Sequence, residues 1–345
     1  MKLLILTQVI DKDDPFLGFF HAWVEEFSKQ FEQITVICLY KGVHNLPGNV
    51  RVLSLGKEIG VLKLVYITSF FKYVVAYRKK YDAVYVHMNQ EYVLLGGWFW
   101  RLMGKKVAMW RNHFAGSLLT DVASLFCHKV FCTSKFSYTA KYAKTVFMPV
   151  GVPTEIFHPL PGVERVPHSV LSIVRISPAK KIEQLIDALG VVAKKGVMFT
   201  ATICGDAIPM HKEYEASLRA QVKELGLSDK VVFIQGLPYE KIPELYAKHD
   251  ICVNQSPSGM FDKTIFEAMM CETLALSCNE NLRGKVDEKF IFKEDEISEL
   301  AEKLEKLLTL SNEERKINAK KLSEYAKENH SLHRLAKSLE NELKK

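Results

Sequence analysis

Neither half of this 345-residue chain carries a G-x-G-x-x-G after its first apolar run, and no G-x-x-x-x-G-K-S/T motif occurs. The first absence counts against a nicotinamide or flavin enzyme, the second against a P-loop nucleotidase. No apolar run reaches the ~18 residues that read as a membrane span. The opening MKLLILTQVI runs straight into DKDDP, too short for a signal peptide, and reads as a first buried strand. There is no low-complexity tract and no internal repeat, which excludes fibrous and solenoid architectures. Cysteine is sparse and odd in number, seven in all, with Cys38, Cys204 and Cys252 inside apolar runs. Buried free thiols in a reducing cytosol fit this better than a disulfide framework. Cys127 and Cys132 stand too far from other ligand types to suggest zinc.

What is present is ordinary globular material, 48% hydrophobic and 25% charged. At ~100–200 residues per domain the length implies two domains. Charge is uneven. Residues 1–165 hold 20 Lys/Arg against 12 Asp/Glu and the remainder 27 against 28, so all of the net +7 lies in the N-terminal half. Such a surplus favours an acidic partner there, such as anionic lipid headgroups. The cations are scattered with no binding motif beside them, so nucleic acid is not expected.

Apolar runs alternate with amphipathic segments. Strands are expected at 3–7, 34–40, 50–55, 83–87, 106–110, 129–133 and 145–150, and helices at 19–31, 61–81, 91–103 and 117–126. The stretch 155–168, with Pro159, Pro161, Gly162 and Pro167, reads as a linker. The alternation restarts with strands at 169–175, 199–205, 231–235 and 251–253 and helices at 182–195 and 213–225; from 294 the chain is charged and helical throughout. Continuous apolar strands between helices imply parallel sheets covered on both faces. The fold class is α/β, two Rossmann-like doubly wound domains facing each other across a cleft, at 1–160 and 168–330. A ligand is expected in that cleft, at the carboxyl ends of the strands.

Two segments suit an anionic ligand. In NQSPSGMFDKTIFEAMMCETLA, residues 254–275, an apolar run ends in a small-residue loop that turns into a helix around Lys263. Free N–H groups and a positive helix end favour a phosphate there, and Glu267 can accept hydrogen bonds from hydroxyls of the same ligand. By itself the stretch reads more readily as one more strand–helix unit. RISPAK, residues 175–180, follows the first strand of the second half. Arg175 and Lys180 can clamp a diphosphate around a turn, one by its fork and the other as a point charge. Alone, such a pair is usually a solvated surface; together the two segments describe a nucleotide-diphosphate site.

The order RISPAK, TICGDA, FIQGLPY, SPSGMFDKTIFEAM resembles the C-terminal domain of retaining, nucleotide-sugar-dependent glycosyltransferases of the GT-B fold, family four (group one). The likeness extends over nearly the whole chain, through the loop with Gly18, VGVPTEIFHP before the linker, VVFIQG at 231–236 and FEAMMC. It implies that Arg175 and Lys180 bind the donor diphosphate and stabilise the leaving group. Glu267 matches the second glutamate of the E-x7-E motif and holds the ribose. Gly236 and Leu237 match the loop that contacts the base, and Gly205 lies in the turn beneath the nucleotide. Gly18 lets backbone approach the donor phosphate. His113, in MWRNHFAG, matches the histidine near the transferred sugar; His87, ending AVYVH, is a weaker match on the acceptor side. A C-terminal helix, 331–345, is expected to cross back to the N-terminal domain.

The departures centre on position 259, where Gly259 stands in place of the first glutamate. Ser258, Gly259, Met260 and Phe261 then face the donor, with backbone amides offered to the sugar, and Asp262 is a displaced carboxylate. The family's A-C-G-x-P reads MCETL here. The resemblance implies transfer of a hexose-type sugar from a UDP- or GDP-sugar to a glycan or lipid-linked acceptor, with retention. No cofactor or metal is expected: the donor half has no D-x-D motif, and the basic pair can neutralise the leaving charge. Segment 60–81, rich in aromatics and ending in Arg78, Lys79 and Lys80, has two readings. One is a helix in an anionic membrane interface, on the cytoplasmic face. The other is a sheet-packed helix with a solvated basic end. Two further functions stay open, a sugar-nucleotide-binding protein without transferase activity, kept alive by Gly259, and an epimerase or phosphorylase on the same fold.

Overall fold

The computed structural model describes residues 1–14 and 17–345. The chain divides into two compact units, Met1–Gly151 with Leu332–Lys345, and Val152–Ser331. In the first, β1 (Lys2–Ile10), β2 (Gln33–Lys41), β3 (Val50–Ser54), β4 (Ala83–His87), β5 (Lys106–Trp110), β6 (Lys129–Cys132) and β7 (Thr145–Phe147) form one sheet. Its order is β3-β2-β1-β4-β5-β6-β7, with every pair parallel. The first four helices are α1 (Phe19–Ser28), α2 (Lys63–Ala76), α3 (Gln90–Leu102) and α4 (Leu118–Phe126). Successive side chains of a strand point to opposite faces, and β1 feeds two cores accordingly. Leu3 and Ile5 join Phe20, Trp23 and Phe27 of α1. Leu4 and Leu6 join Phe70 of α2, Val93 and Trp100 of α3 and Ala123 of α4.

The second unit holds β8 (Ser169–Ile173), β9 (Thr200–Cys204), β10 (Val231–Ile234), β11 (Ile251–Asn254) and β12 (Leu274–Ser277), in the order β10-β9-β8-β11-β12, again all parallel. Its helices are α5 (Ile182–Lys194), α6 (Lys212–Glu224), α7 (Ile242–Ala247), α8 (Lys263–Met270), α9 (Ile297–Leu308) and α10 (Asn312–His330). In each sheet the winding reverses beside the first strand, between β1 and β4 and between β8 and β11. Open α/β sheets take their ligands at such a switch point.

Several elements differ from expectation. The proline-rich stretch is packed rather than free: Phe157 is buried with its ring 5.2 Å from that of Tyr239, and Val166 N–H donates to the Lys248 carbonyl at 2.9 Å. The division falls earlier, after Gly151. Strand β8 stops at Ile173, which leaves Arg175 in the loop beyond. α2 is shorter than 61–81 because Leu62 is extended and the chain past Ala76 folds back, the Tyr81 hydroxyl donating to the Val74 carbonyl at 3.1 Å. Strand β12, four residues of LALS, was not expected. The charged C-terminal run is three helices, with Ser311 and Glu314 forming a capping box at α10. The last, α11 (Leu332–Lys344), returns to the first unit as expected, placing Leu335, Ala336 and Leu339 in the α1-side core. All seven cysteines are buried free thiols. Among the described residues no helix is long and apolar enough to cross a membrane.

Candidate active site

Next to the second switch point the loops after β8 and β9 run side by side. Val174 N–H donates to the Cys204 carbonyl at 3.0 Å and Ile176 N–H to the Asp206 carbonyl at 3.1 Å. Gly205 makes this approach possible: its φ is +148°, and a Cβ there would stand 1.8 Å from the Val174 oxygen. No L-residue fits that backbone. Next along, Gly236 N–H donates to Asp206 Oδ2 at 3.1 Å, with Leu237 partly exposed beyond it.

From the other side of the loop, Pro178–Lys180 forms a single 3₁₀ turn that directs Lys180 to the segment after β11. Lys180 Nζ lies 2.7 Å from Asp262 Oδ2 and 2.6 Å from Ser256 Oγ, and Ser256 Oγ donates to the same carboxylate oxygen at 2.5 Å. Asp262 Oδ1 accepts from Thr264 N–H at 3.3 Å and from its hydroxyl at 3.2 Å, so Asp262 is the N-cap of α8. Asn254 braces the arrangement through Thr264 Oγ1 (2.8 Å) and Ser256 N–H (3.0 Å). Burial pushes the Asp262 carboxyl upward, but the Lys180 charge and its hydrogen bonds prevail and hold it well below the usual carboxylate range. Two expectations are corrected here. The N-terminus of α8 already carries a carboxylate cap, and Asp262 has both oxygens committed rather than displaced toward a sugar. Arg175 is exposed just past β8.

Glu267 is 4% exposed. The Tyr246 hydroxyl lies 3.2 Å from Oε2 and the Tyr239 hydroxyl 3.4 Å from Oε1. Burial raises its carboxyl to about 7, against the pull of Lys263 one turn earlier. Burial likewise pushes the Lys263 ammonium well below its ordinary value. Ser258 Oγ accepts from Glu280 N–H at 2.9 Å, the Ser258 carbonyl from Asn281 Nδ2 at 2.8 Å, and the Met260 carbonyl from Asn279 Nδ2 at 2.7 Å. Phe261 is buried against Phe266, ring centroids 5.0 Å apart, and Gly259 is buried in the turn between. The Met260 amide, expected to face a sugar, points to the Pro257 carbonyl at 3.5 Å. Sequence reasoning missed Asn279, Asn281, Ser256, Tyr239 and Tyr246. The asparagines follow β12, and that unnoticed strand was the available signal.

The remaining predicted residues belong to the first unit. Gly18 precedes α1, in a loop whose residues 15 and 16 lie outside the described ones. A Cβ on Gly18 would come within 2.6 Å of the Asp14 carbonyl, which also accepts its N–H at 3.0 Å; the loop's own path requires this glycine. His87 is corrected: it is 4% exposed, stacked on Phe20 at 4.2 Å with Trp23 at 5.7 Å, inside an aromatic cluster rather than open to an acceptor. His113 is half-buried past β5. Its Nδ1 lies 2.9 Å from the Ala115 N–H and 3.3 Å from the Ala115 carbonyl, so the ring is held by its own loop.

Residues 163–329 match the model of the Glycosyl transferases group 1 family. No curated protein matches the chain in sequence. Among solved structures, HepE of Anabaena in complex with UDP is similar with a TM-score of 0.78 at 20% identity, over 100% of both chains. Sucrose-phosphate synthase from Thermosynechococcus elongatus is similar at 0.76 and 16% identity, over 99% of this chain and 98% of that one. The lipopolysaccharide outer core galactosyltransferase WaaB, in its apo form, gives 0.70 at 14% identity, over 99% of each. The second unit is therefore a domain of the Glycosyl transferases group 1 family, carried in a chain whose whole length has the GT-B fold.

Proposed function

We propose that this protein is a retaining glycosyltransferase that moves a hexose-type sugar from a nucleoside-diphosphate sugar to a glycan or lipid-linked acceptor, without metal. The observation that carries the reading is Lys180, held at the β8–β11 switch point of a group 1 domain. UDP is favoured over GDP because HepE, of similar fold, is solved with UDP. As the bond from the anomeric carbon to the phosphate oxygen breaks, Arg175 and Lys180 meet the charge on the departing diphosphate. The acceptor hydroxyl attacks from the same face and gives its proton to that phosphate oxygen, so configuration is retained. Glu267 holds the ribose. Thermal melting with UDP, GDP, ADP and their sugar conjugates, without added metal, tests the donor. At a hundredfold excess over Kd, the cognate nucleotide should raise Tm by about 5 °C. No shift with any of them sinks the transferase reading.

The lipid-linked acceptor is supported by the outer layer of α2, α3 and α4. Residues 59–81 contain no Asp or Glu but carry Lys63, Lys72, Arg78, Lys79 and Lys80. Leu62 and Leu64, Trp98 and Leu102 of α3, and Leu118 and Leu125 of α4 are exposed, while the inner sides of the three helices share one core. Apolar, aromatic and cationic groups together suit the interface of an anionic bilayer, which would place the enzyme on the cytoplasmic face of a membrane. Co-sedimentation is expected with phosphatidylserine-containing vesicles and not with phosphatidylcholine alone. Replacing Arg78, Lys79 and Lys80 by alanine should weaken it about a hundredfold, at ~1 kcal/mol per cation. Equal binding to both vesicle types would refute the electrostatic part, and no binding to either the whole.

A further inference from the structure

We infer that Asp262 discriminates between the intact sugar nucleotide and the spent nucleotide, weakening the second more than the first. The inference rests on Lys180 being a diphosphate ligand. Lys180 is already shared: its Nζ sits 2.7 Å from Asp262 Oδ2 and 2.6 Å from Ser256 Oγ. The carboxylate is fixed from its other side, because Oδ1 accepts from the backbone and the hydroxyl of Thr264. Swinging away would uncap α8. A phosphate that reaches the Lys180 ammonium therefore arrives beside a stationary negative charge, at a separation where like charges repel appreciably.

The repulsion scales with the charge of the arriving group. In a sugar nucleotide the diphosphate is esterified at both ends and carries about two negative charges. When the sugar leaves, the terminal phosphate gains an ionisable oxygen with a pKa of about 6 and brings roughly one more. The same carboxylate thus opposes the product more strongly than the substrate. Its cost is some donor affinity; its effect is faster clearance of the nucleotide after transfer.

Asp262→Asn isolates the charge, since asparagine caps a helix about as well as aspartate and has the same shape. Titration calorimetry of UDP and UDP-glucose on both forms is the test. The variant should bind UDP about tenfold more tightly and UDP-glucose only about threefold more tightly, and product inhibition by UDP should strengthen in step. A merely structural role would weaken both ligands together, and that result, or unchanged affinities, overturns the inference while leaving the donor site standing. Failure of either form to bind any nucleotide overturns the donor site and the inference with it. Asp262→Ser, also a competent cap without charge, repeats the measurement if the asparagine variant folds poorly.

Discussion

Lys180→Ala should lower kcat/KM by about three orders of magnitude and destabilise the second unit by about 2–3 kcal/mol. The kinetic loss is that expected when one preorganised group facing a developing oxyanion is removed. The stability loss has a separate origin. Lys180 and Asp262 are only 22% and 17% exposed, so deleting the ammonium strands a carboxylate with little water to replace it, a change that costs ~3–5 kcal/mol for fully buried pairs and less here. The two effects separate in the double variant. Lys180→Ala with Asp262→Asn should regain most of the stability and none of the turnover. Urea denaturation beside steady-state kinetics measures both, and a single variant with wild-type turnover would remove Lys180 from the mechanism.

The second large effect concerns Glu267→Gln. The carboxyl has an ordinary value of 4.5, and burial lifts it to about 7 in the folded protein. The folded state therefore prefers the protonated form. Below pH 4.5 the folded and unfolded chains both carry the proton, and the stabilising contribution is complete. Between pH 4.5 and 7 the unfolded chain releases the proton while the folded one keeps it. The Glu267 contribution to stability accordingly declines as pH rises, by roughly 3 kcal/mol across that window, and is gone above it. The glutamine variant should lack this slope. Because Glu267 is also the group assigned to the ribose, the variant should bind nucleotide about tenfold more weakly at pH 8, for loss of a charged hydrogen bond. Denaturation midpoints across pH give the first result and calorimetry the second; an unchanged slope would show that another group sets the pH dependence.

Strands buried on both faces were legible because their apolar runs are unbroken, and the motif order pointed to the group 1 domain from sequence. The pairings within the candidate site were not. Lys180 and Asp262 are 82 residues apart, and neither carries a local sign of the other. A histidine that ends a strand reads alike whether it faces a ligand or, like His87, a phenylalanine 67 residues earlier. Strand β12 escaped because four residues give too short a period to separate from the helix before it. With it went Asn279 and Asn281, whose amides tie down the Ser258–Met260 turn.

The return of α11 sets an order of assembly. Residues 152–331 form one uninterrupted unit and emerge from the ribosome before Leu332–Lys345. The later unit in sequence can therefore close first, while the earlier one waits with Trp23 and Phe27 facing the space that Leu335 and Leu339 will fill. Until then its α1-side surface is a sticky apolar face, the moment at which a chaperone has most to do.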